Sequence, residues 1–298
     1  METAMVVDPG IEAPAATGTA PMPLSLTVFD CPVTIQCEDA DARALLVANY
    51  GHLQGSPQRG GLRYVVSRPR RRSGAPSFAI VRAGRPPLTA ADAGEFLFVF
   101  EKDLTVALQQ VRRDLYFVHA GVLTCRDRAF LLVGPSGRGK STLTWALLHH
   151  GCRYFSDELA AIDLGTREVW PYPHALCLKQ EPPPAYPLPP QILRTSRTLH
   201  IPVDLLPGGA SRQPAPLQAA FFLQDRRETS PPALHPLGKA AATAHLLANA
   251  LNPLAHAEAG LDGALSLAAG MVPFELHAAD LSATCALIRE ALDGVAPR

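Results

Sequence analysis

The chain has 298 residues, room for one large or two small domains. It is 47% hydrophobic and 18% charged, enough apolar material for a sizeable core. Lys plus Arg and Asp plus Glu balance at 27 each, which excludes the broad basic field of a nucleic-acid binder. No apolar run is long enough to span a membrane. The six cysteines form no CxxC pair, so the pattern is neither a zinc nor a redox signature, and a reduced cytoplasmic enzyme is the expectation.

In chain order, residues 1–23 are Ala/Pro/Gly/Thr-rich and read as a disordered tail without the layout of a signal peptide. Residues 24–114 read as a small α+β region. Leu24–Phe29 and Val33–Gln36 are β-prone runs broken by Pro32. Asp39–Tyr50 is a helix stopped at Gly51. Leu62–Ser67 and Ser77–Val81 are strands joined by an Arg-rich stretch, Arg68 to Arg72, which is either a solvated loop or a docking patch for an acidic peptide. Phe96–Phe100 is expected as a strand, and Thr105–Arg113 as a helix.

Residues 115–298 read as a second, larger domain. Tyr116–Cys125 and Arg128–Val133 are successive strands, followed by a glycine loop and a helix from Ser141 to His150 stopped at Gly151. Arg153–Phe155, Leu159–Ile162 and Glu168–Trp170 are strand-like. Glu181–Pro190 holds six prolines in ten residues, which excludes a helix or inner strand and predicts an exposed, semi-rigid loop. Leu199–Val203 and Leu217–Leu223 resume strand character. Ala240–Leu251 is a helix, and Asp280 caps a last one through Leu292, with Gly294 beyond its end.

The glycine loop carries the chemistry. Gly134, Pro135, Ser136, Gly137, Arg138, Gly139, Lys140, Ser141 and Thr142 spell a Walker A loop, with Gly, four residues, then Gly-Lys-Ser. It follows an apolar strand and opens a helix with Leu143, Leu147 and Leu148 on one face, which is the context such a loop needs. Glycines let the backbone wrap a phosphate, and successive N–H groups at a helix start offer it partial positive charge. Lys140 would neutralise the β- and γ-phosphates of ATP, and the Ser141 hydroxyl would bind Mg²⁺.

No LSGGQ-type signature, Asn-Lys-x-Asp guanine reader or four-aliphatic Walker B strand accompanies the loop. The acidic pair Asp157-Glu158 follows one helix and one short strand later. One carboxylate there could accept a proton from an attacking hydroxyl, and the other could help hold Mg²⁺. An isolated Asp-Glu pair would otherwise be a solvated turn.

His119-Ala-Gly-Val122, the loop Gly134–Thr142, and Gly151-Cys-Arg-Tyr-Phe-Ser-Asp157-Glu158 resemble the catalytic domain of HPr kinase/phosphorylase. More closely, they resemble the related group that includes lasso-peptide precursor kinases, as does Pro171-Tyr-Pro-His-Ala-Leu-Cys-Leu-Lys179. The resemblance covers roughly residues 116–225. It implies an α/β fold, a P-loop kinase core with a mixed β-sheet. It also implies Asp157 as general base, Lys140 and Ser141 at the phosphate and metal positions, Glu158 as a metal carboxylate and His119 beside the nucleotide. On the residues alone His119 reads equally as a satisfied strand histidine. The family's Glu-x-Arg-Gly-x-Gly signature has no counterpart, and near that place stand Arg194 and Arg197. With Lys179 these bases could steady the transferred phosphoryl group, or be ordinary surface residues. The resembled enzymes are hexameric, which raises a homo-oligomer without fixing one.

The leading expectation is an ATP- and Mg²⁺-dependent kinase acting on a serine of a peptide or small protein, natural-product precursors included. A kinase of a small hydroxyl metabolite and a nucleotide-dependent regulatory module remain as alternatives.

Overall fold

A computed structural model of the chain describes residues 22–69, 78–224 and 231–295. It is a mixed α/β structure in two compact units. The described part of the first runs over residues 22–107 and takes in Thr195–Arg197; the second comprises Leu108–Arg194 and the chain from Thr198 onward. The expected tail 1–23 lies outside the described residues except for 22 and 23, as do Arg70, Arg71 and Arg72.

The first unit is a five-stranded sheet in sequential order: β1 (Leu24–Val28), β2 (Cys31–Cys37), β3 (Leu62–Ser67), β4 (Phe78–Arg82) and β5 (Leu88–Ala90). Pro32 does not break β2 as expected. It faces Thr27 at the hairpin end, and the parallel pairing to β3 begins only at Val33, so no ladder donor is missed inside the sheet. Helix α1 (Ala40–Tyr50) makes the crossover, its first turn capped by Asp39, which accepts from the Ala42 amide at 2.8 Å.

Phe96–Phe100 is not a strand. It lies within helix α2 (Ala93–Val111), where Phe96, Phe100, Leu104 and Leu108 are buried at every fourth position. A capping arrangement starts this helix. Asp92 accepts from the Glu95 amide, and the Glu95 carboxylate accepts from the Ala91 amide, at 2.8 and 2.7 Å. Phe96 stacks on Phe78 at 4.5 Å, and Asp103 receives both the Tyr64 hydroxyl and the Arg82 guanidinium, which ties the helix to β3 and β4.

The second unit is built on an eight-stranded mixed sheet. Its members are β6 (Leu115–Cys125), β7 (Arg128–Val133), β8 (Arg153–Ser156), β9 (Leu159–Asp163), β10 (Glu168–Trp170), β14 (Ala215–Leu223), β15 (Ala233–Pro236) and β16 (Val272–His277). A separate three-stranded sheet holds β11 (Leu176–Leu178), β12 (Leu193–Arg194) and β13 (Leu199–Ile201). The long β6 pairs with β7 on one side and with β8 and β9 in succession on the other. β7, β14 and β16 run parallel to one another.

Alternation along these strands divides the core in two. Phe130, Leu132, Ala219, Phe221 and Leu223 join a cluster with α3 (Lys140–His149) and α6 (Leu281–Gly294). Leu131, Val133, Ala220 and Phe222 join another with α4 (Lys239–Ala248) and α5 (Leu261–Gly270). A sheet buried on both faces needs such near-continuous apolar runs.

Three expectations shift at element ends. The helix expected to Leu251 stops at Ala248, because Ala250 bridges to Val118 and the Leu251 amide donates to Phe117 on β6. Leu199–Val203 ends as a strand at Ile201, and Val203 opens a short 3₁₀ turn. Gly294 closes α6 instead of following it. The proline-rich stretch is neither helix nor strand, as expected, but it is pinned. Tyr186 is buried, its carbonyl accepts from the Trp145 indole at 3.0 Å, and its hydroxyl meets His150 at 2.9 Å.

Candidate functional site

The loop 134–139 leaves the carboxyl end of β7 and runs into α3. Gly137 and Gly139 sit at φ +86° and +83°, a conformation that L side chains rarely adopt. Nothing lies within 4 Å of where a Cβ would stand at either, so their positive φ, not crowding, is what calls for glycine. Lys140 is almost wholly buried, and its ammonium donates to the carbonyls of Gly134 and Pro135 at 2.7 and 3.2 Å. Burial holds its pKa below the ordinary lysine value, opposed by the nearby Glu158 carboxylate.

His119 stands on β6, one step past the Ala120–Val133 pair, which brings it opposite Gly134. Its Nε2 is 3.1 Å from the Lys140 ammonium and its Nδ1 is 3.1 Å from the Glu158 carbonyl. An ammonium has no acceptor, so Nε2 takes the bond and Nδ1 carries the hydrogen. Burial, then the Lys140 charge, pulls the imidazole below its ordinary pKa, which agrees with this neutral form.

These residues face one small cleft of about 130 Å³ lined by His119, Lys140, Ser141, Glu158 and Lys179, with the loop backbone as its wall. Lys179, just after β11, donates to the Ser136 hydroxyl at 3.1 Å. Beside the cleft, sharing Ser136, Gly137, Gly139, Thr142 and Gln180 with it, lies a cavity of about 740 Å³. Arg138 and Pro182 form part of its rim, and Leu223, Gln224, Ala278 and Ala279 close it where β14 and β16 end. Both spaces thus lie at the carboxyl ends of parallel strands, where open α/β sheets place their ligands.

The acidic pair divides between two environments. Glu158 faces the cleft, half-exposed, with an oxygen 3.4 Å from His119 Nδ1. Asp157 has no exposed surface and does not line the cleft. Its Oδ1 accepts from the Tyr154 hydroxyl at 2.7 Å and lies 3.5 Å from His174 Nε2, and its Oδ2 accepts from the Cys177 amide at 3.0 Å. Its charge nonetheless reaches the cleft, where it favours the protonated forms of His119 and Lys140. Just before the pair, the Ser156 hydroxyl accepts from the Leu159 amide at 3.1 Å and shapes the turn.

Of the three candidate bases, only Lys179 borders the cleft. Arg194 is exposed and pairs with Glu181. Arg197 belongs to the segment Thr195–Arg197 of the first unit. Gln180, Gln224 and the residues after β16 were not singled out by motif, because only the ends of strands distant in sequence bring them beside the loop. Tyr154 and Cys177, which hold Asp157, carried no sequence signal of that role.

The donor set fits a nucleotide with its divalent ion. The glycine loop, an ammonium, the Ser141 hydroxyl and the Glu158 carboxylate line one space, and the Ser141 oxygen is of the hard kind that suits Mg²⁺. Among the described residues no helix is long and apolar enough to cross a membrane.

No protein-family model matches the chain, and no curated protein matches it. Among solved structures, the chain is similar to the HPr(Ser) kinase/phosphatase from Coxiella burnetii. The identity is 12%, the match covers 60% of this chain and 99% of that one, and the TM-score is 0.30. A likeness that slight carries neither the fold nor the function.

Proposed function

We propose that this chain is a nucleotide-dependent phosphotransferase of the P-loop type, which binds ATP with Mg²⁺ and transfers the γ-phosphoryl group to a hydroxyl, that of a peptide or small-protein serine. The observation that carries the reading is the meeting of five groups in one cleft: the glycine loop, Lys140, Ser141, Glu158 and His119. The adjoining cavity has room for a nucleoside.

In this reading loop amides and Lys140 bind the phosphates, and neutral His119 offers Lys140 an acceptor that a phosphate oxygen can replace. Mg²⁺, when bound through the Ser141 hydroxyl and phosphate oxygens, would neutralise developing charge. Glu158 accepts the proton of the incoming hydroxyl as its oxygen meets the γ-phosphorus, and ADP departs. Lys179 steadies the equatorial oxygens. Asp157 acts as a positioning residue. Through Cys177 it fixes β11, which leads into Lys179, and through the chain it fixes Glu158.

Two substitutions test this division. Glu158→Gln should lower kcat on a seryl peptide by about 10²–10⁴-fold with ATP binding retained. Asp157→Asn should cost only about tenfold, since an amide can still accept from the Cys177 amide and donate to the Tyr154 oxygen. The opposite ranking would return the base to Asp157. Lys140→Met should abolish nucleotide binding by calorimetry. Binding without transfer to any peptide or hydroxyl metabolite would reduce the chain to a regulatory module.

A further inference from the structure

The second unit contains a thiol pair that the nucleotide chemistry does not use. Cys125 ends β6, and Cys152 directly precedes β8. The two strands pair Leu123 with Tyr154 and Thr124 with Arg153, so the same register sets Cys125 opposite Cys152. Directly opposed residues of an antiparallel pair have Cα atoms about 4.5–5.5 Å apart, within the span that a disulfide requires. The sulfurs are 3.8 Å apart, with the Cys152 thiol donating to Cys125. Both cysteines are free, Cys152 is buried and Cys125 is partly exposed.

We propose that Cys125 and Cys152 form an oxidisable dithiol, with Cys125 the attacking thiolate and Cys152 the resolving thiol. The oxidant is a peroxide. The Cys125 thiolate takes one peroxide oxygen as sulfenic acid and releases hydroxide. The Cys152 sulfur then attacks the Cys125 sulfur, the S–O bond breaks, and the hydroxyl leaves with the Cys152 proton as water. Two thiols are oxidised to one disulfide, and one peroxide is reduced.

The surroundings favour this order. The hydrogen bond from Cys152, against burial and with Arg289 and Arg126 outweighing Asp293, lowers the Cys125 thiol, whereas the Cys152 thiol is raised by that bond and by burial. The closed loop would span 27 positions and enclose all of β7, the glycine loop and α3. The crosslink would therefore staple the two ends of the segment that holds the phosphates.

The test treats the full chain with hydrogen peroxide, alkylates the remaining thiols and maps the peptides. A Cys125–Cys152 linked peptide is expected, with Tm raised by roughly 5–10 °C and restored by dithiothreitol. Cys152→Ser should accumulate sulfenic acid at Cys125, trapped by a 1,3-dione, and Cys125→Ser should leave Cys152 unreacted under the same conditions. Sulfinic acid at Cys125 without a crosslink in the wild type, or a link appearing only after unfolding in urea, would overturn the proposal.

Discussion

Asp157 and Glu158 are neighbours in the chain and opposites in environment, one wholly buried and one open to the cleft. Around Asp157 the polar groups are tightly apportioned. His200, behind Cys177, is buried, with Nδ1 3.3 Å from the Cys177 sulfur and Nε2 2.7 Å from the Thr198 hydroxyl. Burial and then His174 hold its imidazole at about 4 instead of 6.5. The folded chain thus keeps His200 neutral where the unfolded chain protonates it. Its contribution is complete above pH 6.5 and is lost as pH falls through 4, to an extent of about 3 kcal/mol. Urea midpoints at pH 7 and pH 4 should therefore differ less in His200→Gln than in the wild type. An unchanged difference would remove His200 from the acid sensitivity.

At the scale of elements, α2 shows how context overrides a local pattern. The run Phe96-Leu-Phe-Val-Phe100 has the composition of a buried strand, and short apolar runs are ambiguous between helix and strand. The cap at Asp92 and Glu95 and the four-residue spacing of Phe96, Phe100 and Leu104 decide for the helix. Phe100 lies against Tyr64 and Tyr50 at ring separations of 5.2 and 5.5 Å. Phe100→Ala should destabilise the first unit by about 3–5 kcal/mol, read from denaturant unfolding. The glycine loop is the contrary case. Its conformation follows from the local sequence, because only glycine holds φ near +85° without strain at Gly137 and Gly139.

At the scale of the whole molecule, every residue that borders the cleft or the adjoining cavity belongs to the second unit. A chain of residues 108–298 should therefore bind ATP with the affinity of the full chain, as measured by calorimetry. A loss of binding in a fragment that retains its circular-dichroism spectrum would assign the first unit a part in holding nucleotide.

The sequence by itself determined the strand, glycine loop and helix about Gly134–Thr142, the strands flanking Asp157-Glu158 and the Asp280 cap of α6, because each depends on residues within a turn or two of one another. It could not determine which acid faces the cleft, for that depends on Tyr154 and the Cys177 amide, the latter 20 positions from Asp157. Nor could it show that Cys125 meets Cys152, or that the ends of β14 and β16 wall the cavity. Those follow from strand register and sheet order, which join residues remote in the chain and exist only once the core has closed.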